Sequence, residues 1–414
     1  MNLQSQIAQL YKTEYRKIIS VLCKLFGLAH IEIAEDIAND TFLLATENWH
    51  LKGIPDNAAA WLYTVAKNKT RDYIRRHKLF SEKIKPEIQY GQSASDETVI
   101  DLSPQNMTDS QLQMIFALCN PLISPEGQIG LALKILCGFS TSEIAEAFLT
   151  SQENIQKRLF RAKEKLRTAA IKIEIPEAAA IGKRLETVLT TLYLLFNEGY
   201  HTRSKQTHIR KELCLEAMRL CYLLIENKNT NKPAVNALMA LMCFHASRLN
   251  ARMNELGEAI LYEAQNRALW DEDLIARGNY FLIRSAQGNE ISKYHLEASI
   301  AYWHSTKIEP TDKWEKILQL YNQLLQIEYS PVTALNRTFA LSKVSGKEKA
   351  ITEALKLDLK GSHFYHTLLG HLYTGIDHRK AVGHFELALH LAASASDQAI
   401  IQQHIERLKN SIHH

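Results

Sequence analysis

Residues 156–172 carry Lys157, Arg158, Arg161, Lys163, Lys165, Arg167 and Lys172 against a single carboxylate, Glu164. Cations at this density suit a polyanion, because each Lys or Arg that meets a phosphate releases condensed counterions. Lys157, Arg158, Arg161 and Lys165 recur at three-to-four spacing along one side of the segment. Ile155, Leu159, Ala162 and Leu166 recur along another. Just ahead stand Gln152, Glu153, Asn154 and Gln156, whose amides and carboxylate match the donors and acceptors on base edges. Ser151 can cap the helix that begins there. Upstream, Ile144, Ala145 and Phe148 give a short amphipathic helix, then Leu149-Thr150-Ser151 makes a turn. Residues 140–168 therefore read as a helix-turn-helix. Its second helix presents Gln152, Glu153, Asn154, Gln156 and Lys157 to bases, and Arg158, Arg161 and Lys165 to phosphates.

Two further stretches carry charge in a pattern. In residues 67–78, Lys67, Lys69, Arg71, Arg75, Arg76 and Lys78 face only Asp72, with Asn68 among them and Trp61 and Tyr63 just before. Aromatic rings beside cations suit DNA whose bases are unstacked, since rings stack on bases while cations hold the backbone. Trp61 also lies on the apolar stripe Ala58, Trp61, Leu62, Val65, Ala66 and Tyr73, so a core position competes with that role. Residues 34–45 place Glu35, Asp36 and Asp40 on an otherwise apolar helix. Taken alone this is a solvated face, and its position one helix ahead of the basic one makes it informative.

The elements that must position these residues read as helices. One is expected over 3–27, stopped by Gly27, and a second over Glu32–Asn48. A third follows Pro55, with Asp56 or Asn57 as its cap, and runs to about Lys78. Residues 81–107 are polar, rich in Ser and interrupted by Pro86, Gly91 and Pro104, so they read as a flexible linker. Helices resume at Asp109, and the last helix of that group is expected to run from Gln152 to about Ile173. From Ile181 to the end the text reads as helices of about 12–18 residues joined by short polar breaks, such as Asn227–Pro233, Ser330-Pro331, Ser345-Gly346 and Gly361-Ser362. Such spacing suggests stacked antiparallel helix pairs, an α-solenoid.

Bulk composition agrees. Only 16 Gly and 9 Pro in 414 residues leave few tight turns. The six cysteines form no CxxC pair and no zinc-ligand spacing with His, so they are expected as buried small hydrophobes in a reducing compartment, with no metal and no cofactor. The N-terminal text has no apolar signal core, and no run approaches the roughly 20 apolar residues of a membrane span, so a cytoplasmic protein without a membrane partner is expected. No phosphate-binding glycine loop, HExxH or nucleophile elbow occurs, which argues against an enzyme.

The three charged elements, in this order, resemble the sigma-70 superfamily of RNA polymerase sigma factors, in its extracytoplasmic-function group. The text carrying the resemblance is Ala34-Glu35-Asp36-Ile37-Ala38-Asn39-Asp40-Thr41-Phe42, then Trp61 to Arg76, then GFSTSEIAEAFLTSQENIQKRLFRAKEKLR. The resemblance implies that Glu35, Asp36, Asp40 and Phe42 bind core RNA polymerase. It implies that Trp61, Tyr63, Lys67, Asn68, Arg71, Asp72, Arg75 and Arg76 melt and read the −10 promoter element. It implies that the helix-turn-helix, from Ser151 to Lys165, reads the −35 element. The C-terminal half is similar to the tetratricopeptide-like extensions of some such factors, in Tyr193–Tyr200, Leu238–Met242, His245–Arg248 and Ser330–Arg337. In those proteins the extension modulates sigma activity.

The expected fold class is all-α. Residues 1–80 would form a region 2-like module, 81–107 a linker, 108–175 a region 4-like helix-turn-helix module, and 181–414 a tetratricopeptide-like solenoid. The expected function is a non-enzymatic promoter-specificity subunit with core RNA polymerase and promoter DNA as partners. A protein or ligand partner for the solenoid remains open. The competing reading is a one-component regulator, with an operator-binding helix-turn-helix and a solenoid sensor but no polymerase contact. Asn197-Glu198 and Asn336-Arg337 sit amid apolar residues and are expected to hydrogen-bond between helices or line a groove.

Overall fold

The computed structural model describes residues 3–84, 100–201, 207–252, 260, 264–306, 310–393 and 395–410. Among them every regular element is helical, so the chain is all-α. It divides into two compact units, 1–231 and 232–414.

The first unit opens with α1 (Leu3–Phe26), α2 (Ile31–Lys52) and α3 (Ala58–Ile84). Gly27 and Gly53 stop the first two helices at φ 81° and 79°, a left-handed backbone that favours glycine. Asn57 caps α3, its Oδ1 accepting from the Ala60 N–H at 3.0 Å. Tyr15, Ile18, Ile19 and Leu22 of α1 meet Ala34, Ala38 and Phe42 of α2 and Leu62 and Ala66 of α3 in a shared core. The third helix outruns its expected end at Lys78. Most of the expected linker, 85–99, lies outside the described residues.

The next helix, α4 (Pro104–Leu118), starts earlier than the expected Asp109. Ser103-Pro104 is the cause: the Ser103 hydroxyl accepts from the Asn106 N–H, and proline at the first position needs no donor. Then come α5 (Pro125–Leu131), a π-helical turn over 132–136, α6 (Thr141–Ala147) and α7 (Gln152–Thr168). A reciprocal cap between Ser140 and Glu143 begins α6. Instead of continuing to Ile173, α7 ends at Thr168. Ala170 turns left-handed at φ 48°, and the Ile171 N–H closes back on the Leu166 carbonyl at 3.2 Å.

Two long helices, α8 (Ala178–His201) and α9 (Thr207–Glu226), complete this unit and pack along each other. Both also bond to the α4–α7 group. Arg184 donates to the Phe116 carbonyl. Thr191 donates to Gln128 Oε1 at 2.5 Å, and Arg219 donates to Gln111 Oε1 at 3.0 Å and to the Leu136 carbonyl at 2.7 Å. The structural border thus falls after Asn231, well past the break expected at 176–180.

The second unit holds α10 (Pro233–Ala246), α11 (Glu272–Ser285), α12 (Lys293–Ser305), α13 (Lys313–Ile327), α14 (Pro331–Ser345), α15 (Lys347–Ala354), α16 (His363–Tyr373), α17 (His378–Leu391) and α18 (Ala395–Asn410). Against α11 and α12 packs α10, which is buried on nearly every side; from α12 onward each helix packs on the next. The tightest approach is between α10 and α11, where a Cβ on Gly278 would lie 2.6 Å from the Phe244 ring; α16 and α17 come nearly as close, with Gly370 against Phe385 at 2.8 Å. Of Asn336-Arg337, only the arginine behaves as the burial argument expected: Arg337 donates to Asn322 Oδ1 at 2.7 Å and so ties α14 to α13, whereas Asn336 is exposed.

Candidate nucleic-acid interface

The α6–α7 pair places its charges as the stripe pattern requires. Ile155, Leu159, Ala162 and Leu166 are buried against the module, while Gln152, Glu153, Asn154, Gln156, Lys157, Arg161 and Lys165 are exposed. Ser151 caps α7, its hydroxyl accepting from the Asn154 N–H at 3.2 Å. Gln152 donates to Thr141 Oγ1 at 2.9 Å and Asn154 to Thr150 Oγ1 at 3.3 Å, so these two amides brace the turn. Lys157 pairs with Glu153 one turn earlier, at 2.6 Å. Arg158 is half-buried with its guanidinium over the Phe148 ring, 5.4 Å from the centroid, and this contact ties α7 to the residue that ends α6. Gln156, Arg161 and Lys165 thus form the open part of the face.

Phe160 lies in the middle of that face and is 68% exposed. The sequence reading passed over it, because it follows charge and hydrogen-bonding capacity and counts an aromatic as core. One signal was available: Phe160 falls one position out of register with the buried stripe, on the side of Gln156, Lys157 and Glu164.

On α3, Asn68, Arg71, Arg75 and Arg76 are exposed, and Lys67 and Asp72 are half-buried. Arg75 pairs with Asp72 at 2.8 Å. The aromatics are partly engaged inside the module. Trp61 packs on Trp49 with ring centroids 5.3 Å apart. The Tyr63 hydroxyl donates to Glu14, and burial together with that carboxylate pushes its pKa up, which keeps the phenol protonated.

The acidic helix splits its residues between two tasks. Asp36 and Asp40 are exposed, and Asp40 accepts from Lys69 of α3 at 3.2 Å. Phe42 is buried against the rings of Tyr11 and Tyr15. Glu35 pairs at 2.6 Å with Lys163 of α7, and their side chains are only 13% and 18% exposed. Around these carboxylates the open part of α2 is Asp36, Asn39, Asp40 and Leu43, an acidic row beside an exposed leucine.

All six cysteines are buried thiols, and none is in a disulfide. Burial drives the thiols of Cys119 and Cys243 up to about 12, which keeps them protonated and unfit as nucleophiles. Among the described residues no three His, Cys, Asp or Glu side chains are grouped to hold a metal ion, and no helix is long and apolar enough to cross a membrane.

Comparison with known proteins agrees with this geometry. Residues 10–80, spanning α2 and most of α1 and α3, match the family model for sigma-70 region 2. Residues 184–286 match a family of unknown function, DUF6596. An uncharacterized protein of Rhizobium meliloti (strain 1021) is 33% identical over 385 residues, covering 92% of this chain and 90% of that protein. No solved structure matches the chain. The region 2 match carries a sigma-factor-like, non-enzymatic role in transcription, with core RNA polymerase and promoter DNA as partners. A region 2 fold with an exposed acidic row on α2 and exposed arginines on α3, followed by DUF6596 helices, assigns this chain to the sigma-70 superfamily, in one family with the Rhizobium meliloti protein.

Proposed function

We propose that the protein is a sigma factor of the extracytoplasmic-function group, whose α6–α7 pair acts as a helix-turn-helix on the −35 element and whose C-terminal helices, of tetratricopeptide type, regulate it. The observation that carries this reading is the division of α7 into a buried apolar stripe and an open face of Gln156, Phe160, Arg161 and Lys165, in a chain whose residues 10–80 match region 2. A recognition helix needs that division, because one side docks on its own domain while the other enters the major groove. Core polymerase docks on the acidic row Asp36–Asp40 of α2, and the arginines of α3 hold the opened −10 strand. The bases contact Gln156 and Phe160, and Arg161 and Lys165 grip phosphates.

Run-off transcription with core polymerase and fragments selected from a genomic library tests the reading. A promoter-dependent transcript is expected, and it is expected to disappear when Asp36→Lys and Asp40→Lys are combined, together with retention of core polymerase in a pull-down. A chain that binds DNA but never retains polymerase is instead a plain operator-binding regulator.

A further inference from the structure

Within the first unit, ion pairs join α1 to α9, and join α2, the helix beside α3, to α7. Arg16 of α1 pairs with Glu216 of α9 at 2.6 Å, with side chains 12% and 18% exposed. The second oxygen of Glu216 takes Arg219 at 2.7 Å, and Arg219 reaches on to Gln111 of α4 and the Leu136 carbonyl. Lys12 pairs with Glu212 at 2.7 Å. On the other side, Lys163 of α7 pairs with Glu35 of α2. The α8–α9 hairpin is thus bonded to the α4–α7 module and, through two carboxylates, to α1 of the region 2 module.

This closed arrangement conflicts in length with the proposed task. Elements centred near −10 and −35 lie about 25 base pairs apart, ~85 Å of duplex at about 3.4 Å per pair. A compact unit the length of residues 1–231 has a radius of gyration of only about 17 Å. With Glu35 bonded to Lys163, the helix beside α3 touches α7, so both elements cannot be read at once. The chain between Ile84 and Pro104 is long enough to let the modules part, since 19 residues at about 3.3 Å each reach roughly 63 Å when extended.

Resting on the sigma-factor reading above, we propose that α8–α9 is a built-in clasp: its Glu212 and Glu216 hold Lys12 and Arg16 and keep the region 2 module shut against the α6–α7 module, and the clasp must open before a promoter is engaged. The protein then regulates itself through its own third segment. Promoter affinity is lowered by the fraction of molecules that are open, and loosening the clasp removes that handicap.

The test uses the full-length chain with dyes on His50→Cys and Thr168→Cys, exposed positions on α2 and α7 outside the proposed contacts. Glu212→Lys with Glu216→Lys turns both attractions into repulsions. Energy transfer between the dyes is expected to fall, and promoter-dependent transcript to rise about 10-fold, within the limit set by the open fraction. Adding Lys12→Glu and Arg16→Glu restores opposite charges between α1 and α9, though not opposite Arg219 or Glu143, and is expected to move both readings back toward the starting level, which separates opening from misfolding. Glu216→Gln alone, which adds no charge, is expected to move both in the same direction by a smaller factor. Unchanged transfer in the reversed pair overturns the clasp, as does failure of the four-fold swap to move it back. Transfer that falls while transcript stays level or drops overturns its inhibitory sense. If no variant directs transcription, the sigma-factor reading fails, and the dye distance still decides the clasp.

Discussion

Gln156 and Arg161 stand on the open face of α7 with different tools. A guanidinium meets phosphate by charge, whereas an amide pairs with a base edge through directed bonds. Arg161→Ala is expected to weaken DNA binding about equally on all sequences and to reduce the slope of log affinity against log salt by about one. Gln156→Ala is expected to leave that slope unchanged and relax the preference at one base pair. Equal losses on every sequence for both variants would refute this division. The exposure of these two residues was legible in the sequence because their offset from the apolar stripe of α7 is a local property. The partners of Glu35 and Arg16 were not legible: Lys163 and Glu216 lie 128 and 200 positions away, and no local pattern announces them. Without the structure, Glu35 is indistinguishable from Asp36, its neighbour in the same acidic run.

At the scale of elements, helix ends were legible wherever a single residue decides them. Gly27 and Asn57 act where the text places them, since a left-handed stop or a side-chain cap is a local device. The end of α7 was misplaced because Ala170 is left-handed without being glycine. The trio α16–α18 adds a property visible only once the helices are packed. His371 of α16 has its ring 5.1 Å from Phe385 of α17 and 4.5 Å from His404 of α18. Burial, then His404, Lys347 and Lys343, drive its pKa down to about 4, and that of His404 is also lowered by burial and Arg407. The folded trio therefore refuses protons that the unfolded chain accepts near pH 6.5. Stability is fully present above that value and declines as pH falls toward 4. The urea midpoint of the second unit is expected to drop between pH 7.5 and 5, and His371→Gln is expected to flatten that drop. A midpoint equally steep in pH for the variant would show that other groups control it.

For the whole molecule, the border after Asn231 changes which fragments can stand alone. A chain ended at about residue 175 keeps every proposed DNA contact, yet it strips α8 and α9 from the α4–α7 module. Gln128 then loses Thr191, and the Phe116 carbonyl loses Arg184. Each buried polar group left unpaired costs roughly 1–3 kcal/mol, and the apolar faces of α4 and α5 become exposed as well. Thermal melts followed by circular dichroism are expected to show a cooperative transition for residues 1–231. For 1–175 they are expected to show a much lower midpoint or aggregation. Equal midpoints would mean that α8–α9 contributes nothing to the fold of the first unit.

The bond between Arg16 and Glu216 also sets an order in time. Ribosomes add about 5–20 residues per second, so roughly 7–30 seconds separate completion of α3 from the arrival of α9. Throughout that interval a nascent chain holds α1–α3 with Lys12 and Arg16 still unanswered by Glu212 and Glu216. Under the proposed clasp, each newly made molecule passes that interval unclasped, and α9 can fasten it only as synthesis passes the middle of the chain.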